Sequence, residues 1–522
     1  MTTDQVATSS ITLSGTVTLS GTASLTVNPN AGNDAELLVR NTYDKLGQLA
    51  GNEIGGDTAA ASALQTVDYS YNIRGWLTGI NDADDTDNTL TRNNEDLFAF
   101  RIAYDEGPGA LYNGNIARTE WRTANTDTGL KGYDYTYDAL DRIKTASGIS
   151  TTNYDVSNIT YARNGNILTL NRKGHINAAA TNFGDMDVLN YGYSGNKLIN
   201  VNDSAPNDQF GFKDDALNQS LDQFEDYEYD VNGNMNKDEN KGITDVTYNH
   251  YNLPILVSFA NGSKMEYFYD ALGNKLKKEV TDITNGYNGI EYGFGFIYDN
   301  GFLKHFSQAQ GYVEPDGSGE YMYIYQYKDH LGNVRLTYSD IDGDGQIQSA
   351  SEVIIEKNYY PFGLQQKGYN SAINGTLNNL MTYNGKEFDV SLDMNVYDFG
   401  ARLYDPAIGR FMVTDPMADF VNYQSPYVMA DNNPVKYIDL YGLGKKKCGW
   451  LCRFFNRLIY GKKNVTPTGR RRYDPTKKRK GYSAATDWAF RGKKEKKKNE
   501  EETSNSSNND NLCSICASVF GG

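Results

Sequence analysis

Proline is scarce in this chain of 522 residues, and cysteine is confined to its end. Twelve residues are proline and four are cysteine, and all four cysteines follow residue 443. The long N-terminal part therefore contains no disulfide, and its redox compartment cannot be inferred from cysteine usage.

Long hydrophobic runs and a conventional leader are also missing from the sequence. No apolar run reaches the length of a transmembrane helix. The first 29 residues have neither a basic n-region nor an apolar h-region, so we do not expect a Sec signal peptide. We expect a secreted or cell-surface protein, which leaves two alternatives: export by another route, or a native start upstream of Met1.

Tyrosine and glycine, in contrast, are abundant, with 40 tyrosines among 65 aromatic residues and 51 glycines. Tyrosine favours strands, and glycine with asparagine favours tight turns. From Tyr43 onward a unit recurs that reads Tyr-(Asp/Asn)-x-x-Gly-(Asn/Arg)-x-apolar. Its instances begin at Tyr43, Tyr71, Tyr137, Tyr161, Tyr191, Tyr229, Tyr269 and Tyr327.

Each unit predicts a β-hairpin. A strand ends at Tyr-Asp, glycine takes the positive φ of the turn, and Asp or Asn caps the turn through a side-chain hydrogen bond. One hairpin cannot bury its tyrosine face, whereas stacked hairpins can. We therefore predict a mainly β fold made of a spiralling antiparallel hairpin sheet, with a small α or disordered C-terminal segment.

Further motifs follow the repeats: DHLGNVR at 329–335, NYYPFGL at 358–364 and YNGKEFD at 383–389. ARLYDPAIGRFMVTDP at 401–416 and NNPVKYIDLYGL at 432–443 complete the series. With these motifs, residues 43–443 resemble the RHS (rearrangement hotspot) or YD-repeat family of the polymorphic-toxin type, including its RHS repeat-associated core. The resemblance implies a partial or whole β-shell around a C-terminal cargo, often a toxin.

The resemblance also implies an aspartyl self-cleavage at the end of the core. The matching motif positions are Asp415 and Asp439, and the scissile bond is Leu443–Gly444. Hydrolysis by two carboxylates needs one of them ionised to activate water and the other protonated to polarise the carbonyl. Arg410 is expected to hold one carboxylate ionised, with a purely structural ion pair as the alternative.

Two details of the core bear on this expectation. Leu440 stands where the family commonly has proline before the terminal x-Gly-Leu. Asp before Pro also begins ordinary turns, and we expect Asp405 to be a turn cap of this kind.

DIDGDGQIQSASE at 340–352 resembles the start of a calcium loop, with alternating carboxylates at Asp340, Asp342 and Asp344. The twelfth position is Ser351, and Glu352 comes one place late. Calcium and an ion-free acidic hairpin tip are the two alternatives.

The net charge of the chain changes sign at the predicted cleavage site, between residues 443 and 444. Residues 1–443 carry a net charge of −29 and residues 444–498 a net charge of +17. Such a basic segment fits nucleic acid or an anionic membrane. The candidate nucleic-acid-binding residues are Arg470, Arg471, Arg472, Lys477, Lys478, Arg479 and Lys480.

The C-terminal segment has no histidine and no recognisable reaction. Its cysteines suffice for a four-thiolate zinc site or for two disulfides, and they are Cys448, Cys452, Cys513 and Cys516. Residues 450–459 form a basic amphipathic stripe, which fits either a membrane surface or the core of a small domain.

Four regions result from these patterns. They are a low-complexity segment at 1–35, the repeat sheet at 36–380, the core with its cleavage site at 381–443 and a variable basic effector at 444–522. The expected role is an RHS shell that presents and releases this effector, with an immunity protein and a secretion component as further partners. The alternatives are a non-catalytic adhesive or carbohydrate-binding surface protein and a fragment of a longer RHS protein.

Overall fold

The repeats form antiparallel strands joined by tight turns, as the sequence predicts. The computed structural model describes residues 23–27, 36–56, 63–82, 90–93, 95–105, 109–125, 127–149, 154–177, 179–205, 210–214, 225–369 and 381–444. These residues belong to one compact unit of the chain.

The first sheet has thirteen strands among the described residues, and their order in space is their order in sequence. They are β1 (Ala23–Val27), β2 (Glu36–Tyr43), β3 (Leu49–Ile54), β4 (Gln65–Tyr71), β5 (Leu77–Ile80), β6 (Phe98–Ala103), β7 (Arg118–Thr123), β8 (Lys131–Tyr137), β9 (Ile143–Gly148), β10 (Val156–Tyr161), β11 (Ile167–His175), β12 (Phe183–Ser194) and β13 (Lys197–Asp203).

The second sheet repeats this meander with thirteen more strands in the described part of the chain. They are β14 (Tyr227–Tyr229), β15 (Met235–Asp238), β16 (Ile243–Tyr248), β17 (Pro254–Phe259), β18 (Lys264–Tyr269), β19 (Lys275–Asp282), β20 (Gly286–Gly293), β21 (Phe296–Asp299), β22 (Phe302–Gln308), β23 (Gly311–Pro315), β24 (Tyr321–Lys328), β25 (Val334–Tyr338) and β26 (Val353–Glu356).

A third, four-stranded sheet follows in the core region. Its strands are β27 (Glu387–Asp389), β28 (Val396–Asp398), β29 (Leu403–Asp405) and β30 (Arg410–Phe411). Helices within the described ranges are short. They are α1 (Ser349–Glu352) and the 3-10 turns Glu239–Lys241, Tyr383–Gly385, Ser391–Asp393, Ala418–Phe420 and Ala430–Asn432. No helix in this part of the chain is long and apolar enough to cross a membrane.

The Tyr-Asp turns have the predicted geometry. In the first of them, Oδ1 of Asp44 accepts hydrogen bonds from the amides of Leu46 and Gln48, each over 2.8 Å. Gly47 takes a φ of 80°, which residues with a Cβ rarely adopt. Because the carboxylate satisfies two amides inside the turn, the strands on both sides can pair without a longer loop. The mainly β, antiparallel hairpin fold is therefore confirmed.

One hairpin has the same geometry without the predicted motif. The turn between β16 and β17 is capped by Asn249, whose Oδ1 accepts hydrogen bonds from the amides of Tyr251 and Leu253. Asn252 takes the positive φ of 59° in place of glycine. Asparagine tolerates this region better than most residues, so the repeat persists where its glycine is missing.

The repeat tyrosines bind each hairpin to the one before it. The Tyr137 hydroxyl donates to the Ile116 carbonyl over 2.7 Å, and Tyr161 donates to the Ile143 carbonyl over 2.6 Å. The rings fill the space between the repeats, and the hydroxyls satisfy carbonyls at the strand starts. This explains why tyrosine rather than phenylalanine suits the repeat.

The third sheet is attached to the second through buried charges. Lys275 pairs with Glu387 over 2.6 Å, and Lys278 pairs with Asp389 over 3.0 Å. The Tyr397 hydroxyl donates to the Gly363 carbonyl over 2.9 Å. These contacts hold the third sheet in place, and the candidate site lies next to this sheet.

Candidate functional site

Arg402, Asp415 and Asp439 meet at the end of the described chain. Arg402 directly precedes β29, and Asp415 lies four residues after β30, where its amide donates to the Pro426 carbonyl over 2.9 Å. The Ala401 amide donates to the Tyr441 carbonyl over 3.2 Å, which brings the terminal segment alongside the sheet. Residues from three parts of the core region thus converge on one point.

Arg402 is the centre of this arrangement. Its Nη2 lies 2.8 Å from Oδ2 of Asp439 and 3.2 Å from Oδ2 of Asp415. Its Nε donates to the Gly442 carbonyl over 2.7 Å, and Nη1 donates to the Pro426 carbonyl over 3.0 Å. One guanidinium therefore links both carboxylates to the chain next to the predicted cleavage bond.

The Arg402 side chain is fully buried and stacks on an aromatic ring, with Cζ 3.6 Å from the centroid of Phe411. Burial lowers the pKa of Arg402 from its ordinary value, and the charges of Asp439 and Asp415 oppose this shift. A guanidinium tolerates burial better than an ammonium because it is weakly hydrated and stacks on rings. Arginine is therefore suited to this position.

Asp439 holds the amides of the two residues that the predicted scissile bond joins. Its Oδ1 accepts a hydrogen bond from the Leu443 amide over 2.8 Å, and its Oδ2 accepts one from the Gly444 amide over 3.0 Å. The side chain is completely buried. The Gly444 nitrogen is the atom that would leave when the Leu443–Gly444 bond breaks, so this carboxylate touches a reacting atom.

Asp415 also lies close to Gly444. A Cβ added to Gly444 would lie 2.8 Å from Oδ2 of Asp415, and Gly444 has a φ of 76°. Oδ1 of Asp415 accepts a hydrogen bond from the Met417 amide over 2.7 Å. The close approach of Asp415 and the positive φ together require glycine at position 444, directly after the predicted scissile bond. The structure thus brings Asp415, Asp439, Leu443 and Gly444 together.

Arg410 does not take the role expected of it. Its Nη1 donates to Oδ1 of Asn166 over 2.9 Å, and its Nη2 donates to the Asn196 carbonyl over 2.8 Å. Its guanidinium also lies over the Tyr193 and Tyr427 rings. The expectation that Arg410 pairs with a catalytic carboxylate is therefore corrected: Arg410 ties the core to the first sheet, and Arg402 pairs with the carboxylates.

Asp405 is a turn cap, as expected. Its Oδ1 accepts a hydrogen bond from the Ala407 amide over 2.8 Å. Its other oxygen lies 3.0 Å from Nζ of Lys241. Asp405 therefore fixes a turn and an ion pair next to the site without entering it.

The acidic loop brings together a different carboxylate set from the predicted one. Carboxylate oxygens of Asp340, Asp342 and Glu352 lie within 4.8 Å of one another, and Asp344 is not in this group. Glu352 is buried, and its Oε1 accepts a hydrogen bond from the Ile341 amide over 2.7 Å. Three oxygen donors at this spacing suit calcium chemically. Glu352 thus joins the carboxylates of the loop even though it lies one residue beyond the twelfth loop position.

The remaining predicted sites lie outside the described residues. These are the four cysteines, the basic stretch at 470–480 and the amphipathic stripe at 450–459. Their zinc, disulfide, nucleic-acid and membrane interpretations stay predictions.

Known proteins share parts of this sequence and fold. No protein-family profile matches the chain. Salivary gland surface protein 1 of Aedes aegypti is 29% identical over 224 residues, which are 40% of this chain and 6% of that protein. Toxin subunit YenC2 of Yersinia entomophaga is 33% identical over 104 residues, which are 20% of this chain and 10% of that protein.

A solved structure, TcdB2-TccC3 without its hypervariable C-terminal region, matches 81% of this chain with a TM-score of 0.56 and 20% identity. This chain spans 20% of that one. The β-sheet fold is therefore shared with TcdB2-TccC3, and this chain spans only a small part of the length of each of these three proteins.

Proposed function

We propose that this chain is an RHS-type shell protein whose C-terminal segment is a cargo released by aspartyl self-cleavage between Leu443 and Gly444. The observation that carries the proposal is the hydrogen bond from the Gly444 amide to the buried Asp439, with Asp415 close to the same glycine. Two carboxylates and a buried arginine around one peptide bond are the components that acid–base hydrolysis requires.

The proposed reaction consumes one water molecule. Asp415 is the more accessible carboxylate, with 8% of its side chain exposed against none for Asp439. Asp415 takes a proton from water, and the water oxygen attacks the Leu443 carbonyl carbon. The proton passes to the Gly444 nitrogen, the C–N bond breaks, and a Leu443 carboxylate and a Gly444 amine result. Asp439 orients the Leu443 and Gly444 amides during these steps, which supplies the advantage of an intramolecular reaction.

The similarity to TcdB2-TccC3 and to a Yersinia toxin subunit supports a toxin-type role for this shell. We propose accordingly that the protein is exported and that its principal partner is its own C-terminal segment. An immunity protein and a secretion component are further proposed partners. Nucleic acid or an anionic membrane is the proposed target of residues 444–498, which carry the positive charge.

A second candidate function is a non-catalytic surface protein. It is favoured by the match to a salivary gland surface protein over 224 residues. In this case the contacts of Arg402 with Asp415 and Asp439 would serve only to hold the end of the core region in place.

Intact mass of the full chain after expression separates the two functions. Self-cleavage predicts one fragment ending at Leu443 and another beginning at Gly444. Asp415→Asn should remain full-length, because loss of a general base slows such reactions about 100-fold to 10,000-fold. Asp439→Asn should also remain full-length, because an Asn side chain has one acceptor oxygen and cannot hold both the Leu443 and the Gly444 amide. Asp419→Asn is the matched control, because Asp419 is exposed and lies four residues from Asp415. A wild-type chain that stays intact would favour the surface protein.

A further inference from the structure

Lys275 meets two carboxyl groups from another sheet at a largely buried point. It is the first residue of β19, and its Nζ lies 2.6 Å from Oε2 of Glu387 in β27 and 2.7 Å from Oδ2 of Asp398 in β28. The side chains of Lys275, Glu387 and Asp398 are 13%, 7% and 16% exposed. One amine and two carboxyl groups on three different strands are therefore in direct contact and mostly out of water.

Neighbouring donors fix the orientation of both carboxyl groups. The Tyr292 hydroxyl donates to Oε1 of Glu387 over 2.7 Å, and the Tyr292 ring centroid lies 4.4 Å from Nζ of Lys275. The Gly400 amide donates to Oδ1 of Asp398 over 2.7 Å. Each carboxyl group thus has one oxygen held by a donor and directs its other oxygen at the same amine.

Lys237 shows how this cluster differs from a surface ion pair. Its Nζ also lies close to two carboxylates, 2.6 Å from Glu239 and 3.0 Å from Glu228, but these side chains are 37% and 52% exposed. Water solvates the charges there, so separate ions are stable. The charges around Lys275 have lost most of their hydration, and this cost disappears when an ammonium and a carboxylate become a neutral amide.

We propose that Lys275 and Asp398 form an isopeptide bond between β19 and β28, with Glu387 as the catalytic acid–base residue. Nζ of Lys275 attacks Cγ of Asp398, an N–C bond forms, and a C–O bond of Asp398 breaks. One ammonium and one carboxylate give one amide and one water molecule. The reaction therefore needs no other reactant and no change of oxidation state.

Glu387 carries the protons in this reaction. Burial lowers the pKa of Lys275, but the charges of Asp398 and Glu387 outweigh burial and raise it above its ordinary value. The amine therefore needs an acceptor in direct contact before it can attack. Glu387 takes two protons from Nζ in turn and passes them to the leaving Asp398 oxygen, which departs as water. The third proton stays on the amide nitrogen.

The fold supplies the driving force for this condensation. The reacting groups are held together by strand pairing, which gives an intramolecular reaction a large effective concentration. The proposed bond joins residues 123 positions apart in the sequence. It closes a long loop of the chain and holds the third sheet, next to which the candidate cleavage site lies, on the second sheet.

The test measures the mass of the purified full chain under denaturing conditions after several days at neutral pH. The bond makes the chain lighter than its sequence mass by one water molecule. Fragmentation of a protease digest should then identify a branched peptide that links Lys275 to Asp398. Both residues precede Leu443, so the fragment ending there shows the same difference, and the result does not depend on self-cleavage.

Variants assign the role of each group. Lys275→Met and Asp398→Ala should keep their full sequence mass. Glu387→Gln should form the bond about 100-fold to 10,000-fold more slowly, because glutamine accepts a hydrogen bond but not the proton. Lys278→Met is the matched control: Lys278 is buried in the same strand and lies 3.0 Å from Asp389, and its loss should leave the bond intact.

A wild-type chain with its full sequence mass would overturn the inference and identify the cluster as an ordinary ion pair. Loss of water that persists in Lys275→Met would also overturn it. A branched peptide that links Lys275 to Glu387, or a Glu387→Gln protein that reacts at the wild-type rate, would contradict the roles proposed for the two carboxyl groups. The wild-type mass decides the main question even where a variant does not fold.

Discussion

The Gly444 amide donates a hydrogen bond to Oδ2 of Asp439 over 3.0 Å. A carboxylate five residues upstream thus holds the nitrogen of the predicted scissile bond. Because both residues belong to one short segment, this contact needs no residue from another part of the chain.

The two buried arginines of the core should differ in their effect on cleavage. Arg402→Gln removes the cation shared by Asp415 and Asp439, so we expect no cleavage and a loss of about 3–5 kcal/mol in unfolding free energy. Arg410→Gln removes hydrogen bonds to Asn166 and Asn196 and should cost about 2–4 kcal/mol. It should still cleave at the wild-type rate below its melting temperature. Intact mass and thermal unfolding measure both effects, and an uncleaved but folded Arg410→Gln protein would contradict this assignment.

Gly444→Ala tests the close approach at the cleavage bond. The added Cβ would lie 2.8 Å from Oδ2 of Asp415, and a φ of 76° costs about 1–2 kcal/mol for a residue with a Cβ. We expect slower cleavage with little loss of overall stability, because Gly444 lies at the end of the core region. Ala401→Gly, a change of one methyl group on the neighbouring strand connection, is a control that should cleave normally. Normal cleavage of Gly444→Ala would show that Asp415 does not need its observed position.

The hairpins could be predicted because their signals are local. Tyrosine and aspartate at fixed spacing, followed by a residue that accepts a positive φ, determine each turn, so the pattern at Tyr43 (with Gly47) or Tyr137 (with Asp141) needs no distant partner. The pairing of Arg402 with both aspartates depends instead on contacts between segments tens of residues apart. Arg402 and Arg410 both lie in the motif ARLYDPAIGRFMVTDP, and nothing in the motif itself distinguishes the two arginines.

Counting along the sequence puts Glu352 one position beyond the twelfth residue of the calcium loop, and a distant contact is again what the sequence does not show. The short helix α1 rotates its side chain back toward Asp340, which a count of loop positions cannot show. The repeat motif does not predict the hairpin after Tyr248, because Asn252 stands in place of the expected glycine.

Calcium should stabilise the acidic loop. Burial and the charges of Glu352 and Asp344 raise the pKa of Asp340, so its carboxylate gains from a nearby cation. We expect Ca²⁺ to raise the thermal unfolding midpoint more than Mg²⁺ does, because Mg²⁺ requires a tighter octahedral site. Glu352→Gln should abolish the difference, whereas Glu266→Gln on a distant strand should keep it. Equal midpoints with both ions would identify the loop as an ion-free acidic turn.

The repeat tyrosines should contribute to stability through their hydroxyls. Tyr137→Phe and Tyr161→Phe each leave a strand-start carbonyl without its donor, which should cost about 1–3 kcal/mol. Tyr112→Phe is the control, because that side chain is exposed and its change should be nearly neutral. Denaturant unfolding measures the three differences. Neutral effects at all three positions would show that the rings alone hold the repeats together.

Asp238 should make the stability of the second sheet depend on pH. Burial raises the pKa of Asp238 from its ordinary value of 3.8 to about 7, with Lys241 opposing the shift and Asp405 adding to it. The folded protein then keeps a proton that the unfolded chain releases between about pH 4 and about pH 7. Stability from this group is therefore present at low pH and falls as pH rises through that window, by about 4 kcal/mol at most.

Asp238→Asn removes this titration and keeps an acceptor for the Lys241 amide, which lies 3.2 Å from Oδ1 of Asp238. The variant and the wild type should have similar unfolding midpoints below about pH 4, where Asp238 is protonated in the folded and the unfolded protein, and the variant should be the more stable near about pH 8. Asp316→Asn in an exposed turn should show no such divergence above about pH 5, because hydrogen bonds from the Ser318 side chain and amide lower the pKa of Asp316 and keep its titration below this range. Parallel midpoints for Asp238→Asn and the wild type across this range would mean that Asp238 is ionised in the folded protein, balanced by Lys241.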